Sequence, residues 1–324
     1  MSLRFQATLS PSVPLLKTVA ELDPTNPFAT PEYAEARTAL GERPVVLTLE
    51  EDGRMVVACL GFIQGRFFRR RLQISSLPVL PQRGVFWRGI WQFCRDRGIW
   101  FLQVDTYASL AADIPLLEGE TSRRDRFEYV LDLDSEILDV PSSNHRRNIT
   151  RAKRHGLTLR RSHHAADCRQ HAKLMGASMQ RRSARGEVVP AEQDTAIAEA
   201  LLVTGAGELF QVVHEEKVVA SMLVLRSAEG AYYHSAGTSP EGMEMGASPF
   251  LIAEVAGILK SESAKLFNLG GADPANPGLQ RFKQGFGTRE VPLAAACFCP
   301  GSPIRRRVRH TLRLVRSLAT MITA

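Results

Sequence analysis

A lysine set just beyond a strand that ends in two glycines is the arrangement in this sequence best placed to meet a ligand. The segment KLFNLGG (265–271) is apolar and closes on Gly270 and Gly271. Glycines there let the backbone turn sharply or come close to another group. Next comes Gly278-Leu279-Gln280-Arg281-Phe282-Lys283-Gln284-Gly285-Phe286-Gly287, a short amphipathic stretch bounded by Gly285 and Gly287. It carries Lys283 past a strand end, where α/β sheets commonly bind ligands. Spacing alone also allows a solvated lysine on a surface helix.

Other chemistries find little support. The sequence has no G-x-S-x-G, no phosphate-binding P-loop and no H-E-x-x-H. His163 and His164 read as a solvated loop pair, and His234 as a strand histidine. The five cysteines are odd in number and scattered, which argues against a disulfide framework. Cys297 and Cys299 form a C-x-C pair without a second ligand cluster, so no metal is expected.

Charge is more telling. The net charge is +7, yet the bases are concentrated. Residues 144–161 hold seven Lys/Arg and no acid, and residues 301–324 hold six Arg and no acid. The remainder is mildly acidic. Two acid-free basic segments suggest an anionic partner: phosphates, nucleic acid or a membrane surface. The first segment lacks the aromatic platforms of a single-strand binder, which counts against RNA readout. No apolar run approaches the roughly 20 residues needed to span a bilayer, and the N-terminus is unlike a signal peptide, so a cytoplasmic chain is expected.

The elements that must hold these residues follow from punctuation and periodicity. In the first half, 26–40 reads as a short helix and 44–66 as a hairpin turning at Glu51-Asp52-Gly53. A short strand at 72–77, a helix at 83–97 and a buried strand at 99–108 follow. RFEYVLDL (126–133) reads as the strand that closes this half. A helix capped by Pro141-Ser142-Ser143-Asn144 runs to Arg154 and ends at His155-Gly156. Further helices are expected at 164–185 and 191–203. Residues 208–238 form a three-strand meander, followed by a helix at 247–260, a strand at 265–272, a helix at 277–284 and a strand at 289–298. This is an α/β order. Tyr233 and Ser235 are expected on one face of their strand by its period of two.

Strand-GG, then GL-x-RFK-x-GFG, then a strand resembles the closing motif of the Fem-like transferases. These enzymes add amino-acid branches to peptidoglycan precursors and are related to GNAT-superfamily acyltransferases. HRRNITRAKRHGL (145–157), SMQRRSARGEVVP (178–190), and AYYHSAGT followed by Ser248-Pro249-Phe250-Leu251 resemble further family segments. Together they cover about 140 to 291, and NPFATPEYAEA is similar to the family's opening. The resemblance implies two tandem GNAT-like domains, each a mixed sheet flanked by helices: an N-terminal domain at 1–140 and an acyltransferase domain at 141–300. A basic amphipathic tail occupies 301–324.

The resemblance also assigns roles. Phe282 and Lys283 fall at the transfer site, with Lys283 stabilising developing negative charge. That fits aminolysis, where a preplaced donor at the oxyanion is worth about 3 kcal/mol in a dry site. Arg182 and Arg185, with Arg181 as competitor, correspond to residues facing a precursor diphosphate, and guanidinium forks suit phosphate oxygens. Tyr233 and Ser235 would line the cleft, with Arg147 and Lys153 as further substrate contacts. The implied donor is aminoacyl-tRNA or acyl-CoA. However, the loop SPEGMEMGAS has Met243 where a coenzyme A cradle carries Arg or Gln, and Glu241 and Glu244 beside it. No sustained heptad run for a coiled-coil arm lies between 157 and 208. In the tail, Ile304, Val308, Leu312, Val315, Leu318 and Ile322 share a helical stripe, so 304–322 would lie on an anionic membrane or pack on its own domain. The expected activity is transfer of an aminoacyl or acyl group to an amine, on a cell-wall precursor. The rivals are an acyl-CoA-dependent N-acyltransferase acting on a polysaccharide or lipid precursor, and a non-catalytic RNA- or membrane-binding module.

Overall fold

The computed structural model describes residues 3–80, 83–109, 111–135, 141–184, 186, 195–272 and 276–300. Arg185 and the tail at 304–322 lie outside them. The first half contains β1 (Leu3–Leu9), α1 (Val13–Leu22), α2 (Pro31–Ala39), β2 (Arg43–Glu51), β3 (Arg54–Gln64) and β4 (Arg71–Leu77). It continues with α3 (Arg83–Asp96), β5 (Phe101–Thr106) and β6 (Glu120–Asp132). The second half opens with α4 (Ser143–Arg154), β7 (Thr158–Ser162), α5 (Asp167–Ser183), α6 (Thr195–Val203), β8 (Gly207–His214), β9 (Lys217–Arg226) and β10 (Gly230–Thr238). Then come α7 (Pro240–Glu244), α8 (Ala247–Ser261), β11 (Leu266–Gly271), α9 (Pro277–Gln284) and β12 (Arg289–Phe298). The fold is mixed α/β. Among the described residues, no helix is long and apolar enough to cross a membrane.

Contacts group these elements into two compact units, neither continuous in sequence. One comprises Gly41–Arg126 with the residues up to Ser12 and from Leu293. Its strands β1 to β4 pair antiparallel in turn, and β4 runs parallel to β5. The far edge of β5 is taken by residues 295–298 of β12, antiparallel. The helix α3 buries Phe86, Trp87, Ile90, Phe93 and Cys94, a helical spacing, against Leu47, Leu72, Ile74, Leu102 and Val104.

The other unit comprises Val13–Leu40 and Phe127–Pro292. It repeats the pattern: β7 to β10 pair antiparallel in turn, β10 is parallel to β11, and β11 pairs antiparallel with residues 128–132 of β6. The strand read as closing the first half is thus divided: Glu120–Arg126 of β6 stay in the first unit, while residues 128–132 complete the sheet of the second. Alternation marks a strand and its buried face; it carries no information about which edge the strand joins. Residues 13–40 also belong here. Glu229 N donates to Pro24 O at 2.9 Å, and Phe28 packs edge-on to Tyr232 with centroids 4.9 Å apart. The core is built from Phe210, Met222, Val224, Phe250, Val255 and Phe267.

Candidate active site

In the second unit the parallel strands β10 and β11 are paired only from Gly230 to Tyr232 against Leu266 to Asn268. The side chains around the later part of β10 line a cavity of about 560 Å³. Its lining includes Tyr233, Ala236, Gly237 and Thr238 of β10, Ser178, Arg181 and Arg182 of α5, Ser248, Leu251 and Ile252 of α8, and Leu279 and Phe282 of α9.

Two features of β10 shape this cavity. First, Tyr233 pairs with Val224 and Ser235 with Leu223, so His234 is an extra residue in a bulge. Tyr233 and Ser235 therefore face opposite sides, against the expectation from period two, because one inserted residue reverses the alternation. Ser235 does not line the cavity. Its hydroxyl is hydrogen-bonded to His171 Nε2 at 2.9 Å, and His171 Nδ1 to Ser221 Oγ at 2.9 Å. Burial, helped by nearby His234, pushes His171 down to about 4, so the ring is neutral near pH 7. Second, a Cβ on Gly237 would lie 2.2 Å from the Leu174 carbonyl carbon, which shows how closely the α5 backbone lies on β10. Such a glycine inside a strand is the signal that could have located the α5 contact.

That approach delivers the arginines. Arg181 donates through one terminal nitrogen to Ser178 Oγ at 2.9 Å and to Thr238 O at 2.5 Å, pinning α5 to the end of β10. Arg182 reaches the cavity, with its Nη1 3.7 Å from Met179 Sδ. Burial raises the Tyr233 hydroxyl to about 12 while Arg182 pulls it down, so Tyr233 is a protonated donor at neutral pH. Thr238 Oγ1 and Ser248 Oγ are 2.8 Å apart on the same wall, a pair that the sequence did not single out.

The conformation of β11 and α9 is set by the glycines of the motif. Gly270 has φ 72°, which a side chain adopts with strain, and its N–H donates to Asn268 Oδ1 at 2.7 Å. Asn268 in turn donates to buried Glu128 at 2.7 Å. Gly271 ends β11, Gly287 has φ 78°, and at Gly285, the cap of α9, a Cβ would lie 2.7 Å from His145 Nε2. The His145 Nε2 contacts Phe282 O at 2.7 Å, and its ring packs against Phe282 and Phe286. This ties α4 to the motif.

Lys283 is only 7% exposed and is not among the cavity-lining residues. Its ammonium donates to Leu269 O at 2.7 Å and Gly271 O at 2.5 Å, beyond the last β10–β11 pair, and lies 5.7 Å from the centre of the Tyr233 ring. Burial lowers its pKa to about 8, against the opposing pull of Glu128. Phe282, one residue earlier, does line the cavity. Arg147 lies elsewhere, in a concavity on α4 with Arg146, Arg151 and Arg154, and Lys153 pairs with Glu254 at 3.1 Å.

Compared with known families, residues 142–284 match the model described as Acetyltransferase (GNAT) domain. This segment, under half of the chain, is similar to that domain family. The match makes the chain an acyltransferase by class, and GNAT domains use acyl-CoA as co-substrate. No curated protein matches the sequence. Among solved structures, FemX superposes with a TM-score of 0.65 at 12% identity, covering 89% of this chain and 96% of FemX. L-PGS from Bacillus licheniformis gives 0.56 at 15% identity, covering 94% and 97%. A tandem GNAT protein from the clavulanic acid biosynthesis pathway gives 0.54 at 12% identity, covering 93% and 99%. At these identities the likeness is one of fold.

The loop SPEGMEMGAS is poorly suited to a coenzyme A diphosphate. A diphosphate cradle needs backbone N–H groups free to point at the anion. Here Gly242 N donates to Ser239 Oγ, Met243 N to Ser239 O, Met245 N to Glu241 O and Gly246 N to Met243 O. Pro249 removes a further donor from the first turn of α8, and a Cβ on Gly246 would lie 2.5 Å from Asn148 O of α4. Exposed Glu241 and Glu244 add negative charge. These residues do not fit the group.

Proposed function

We propose that this GNAT domain transfers an aminoacyl or acyl group to the amine of a phosphate-bearing precursor, of cell-wall type. The observation that carries the reading is the convergence of Arg181, Arg182, Tyr233, Ser248 and Phe282 on one cavity at the end of β10. The amine attacks the carbonyl carbon of an activated ester; a C–N bond forms, the C–O bond to the donor breaks, and the amine proton ends on the departing oxygen. With a good leaving group, positioning supplies much of the rate and no nucleophilic side chain is needed.

In this reading Arg182 holds phosphate oxygens of the acceptor. Tyr233 donates to the carbonyl oxygen as it gains charge. Lys283 has two N–H bonds committed to β11 carbonyls, so it acts chiefly by fixing β11 beneath Tyr233, with one N–H left for the oxyanion. Aminoacyl-tRNA is preferred as donor because the backbone amides of Gly242, Met243, Met245 and Gly246 in the loop are used internally. Arg147 and the basic face of α4 would contact the phosphates of that donor.

The test incubates the protein with a lipid-linked cell-wall precursor and either charged tRNA or acyl-CoA, then measures product mass. A mass gain of one aminoacyl residue with tRNA is expected. Transfer from acyl-CoA alone would reject the donor, and no transfer to any amine-bearing precursor would reject the acceptor class.

A further inference from the structure

The β3–β4 turn leaves two phenylalanines in water: Phe67 is 78% exposed and Phe68 58%. The sequence here is Gly65-Arg66-Phe67-Phe68-Arg69-Arg70-Arg71. The turn is a single 3₁₀ turn at Phe67–Arg69, closed by Arg69 N donating to Arg66 O and Arg70 N to Phe67 O, both at 3.1 Å. Gly65 has φ 72°, and a Cβ there would lie 2.6 Å from Arg69 O, so the chain needs glycine to turn this tightly. Phe67 itself has φ 50°, a region that disfavours large side chains. A strained residue whose ring gains no core contact points to a role outside the fold.

The surroundings are basic. Arg66, Arg69 and Arg71 are exposed, and Arg43 and Arg97 are exposed nearby. Arg70 donates to Arg97 O at 2.5 Å, fixing the turn to the end of α3, and Trp100 N donates to Arg70 O at 2.9 Å. Asp96, at the end of α3, accepts from Gln92 at 2.7 Å.

We propose that this turn docks the protein on an anionic membrane, with Phe67 and Phe68 entering the interfacial layer and the arginines meeting lipid phosphates. Aromatic side chains favour that layer, and guanidinium forks suit phosphate oxygens. Basic residues near an anionic leaflet add attraction. A single-stranded nucleic acid calls for a groove with stacking platforms, whereas these rings project from a hairpin tip. The inference stands apart from the donor and acceptor of the transfer reaction and from the tail.

The test uses the full chain and vesicles of phosphatidylcholine with or without phosphatidylglycerol. The unsubstituted chain should partition onto the anionic vesicles, and Phe67→Ser with Phe68→Ser should weaken that by about tenfold or more, with the thermal midpoint unchanged. Equal partitioning of the double variant overturns the proposal, as does weakened binding to a single-stranded RNA with vesicle binding intact. Should the double variant unfold, Phe67→Trp decides. Its added fluorescence should shift to the blue on anionic vesicles and be quenched by brominated lipid; no quenching overturns the proposal.

Discussion

Replacing Lys283 by methionine separates the two things this lysine can do. Its ammonium is buried and bonded to Leu269 O and Gly271 O, and its pKa falls from 10.5 to about 8 because burial disfavours the charge. Since the folded pKa is depressed, the unfolded chain binds more protons between these values. Lysine's contribution to stability therefore rises as pH climbs through 8 and levels off above 10.5. Between about pH 7.5 and 9.5 that gain is about 2 kcal/mol, and methionine lacks it. Two carbonyls also lose their donor, at about 1–3 kcal/mol for each that stays dry. Urea unfolding should show the methionine variant less stable at the lower pH, with a gap that widens by about 2 kcal/mol at the higher. A gap that is constant or narrows with pH would refute the picture of a buried amine clamping β11. In single-turnover transfer the same variant should lose about 100-fold if the remaining N–H meets the oxyanion; full activity would remove Lys283 from the transfer machinery.

Three further outcomes follow from the same geometry. Arg182→Ala should raise KM for a phosphate-bearing acceptor by about tenfold while changing kcat less, since it removes a phosphate contact; an equal fall in kcat with unchanged KM would contradict that. Gly237→Ala, with its Cβ 2.2 Å from the Leu174 backbone, should destabilise the second unit by about 3 kcal/mol or prevent its folding, and a thermal midpoint like that of the unsubstituted chain would show that α5 can shift. His171 has a folded pKa depressed to about 4. Its contribution is complete above the ordinary value of 6.5 and is lost as pH falls toward 4, about 2 kcal/mol between about pH 7 and 5. His171→Gln should remove that acid-dependent step, and an unchanged pH profile in denaturant unfolding would exclude His171 as its source.

The sequence by itself determined most of the elements, though β1, α1 and β7 were not legible in it. Apolar alternation and turn residues located the meander at 208–238, and the glycines of the 265–287 motif marked where the backbone must turn or touch. Phe282, Arg181, Arg182 and Tyr233 were legible because a motif places them in order along the chain, and the structure brings them to one cavity.

Other features depended on the tertiary structure. The partner of each closing strand was not readable: residues 128–132 of β6 pair with β11 of the second unit, while residues 295–298 of β12 pair with β5 of the first. A strand's pattern sets its buried face but leaves both edges open to any partner. The bulge at His234 was equally silent, and it turned Ser235 away from Tyr233. Lys283 looked like a free cation from its spacing. Its commitment to Leu269 and Gly271 arises because the β10–β11 pairing ends at Tyr232 and Asn268, leaving those carbonyls to a donor from α9.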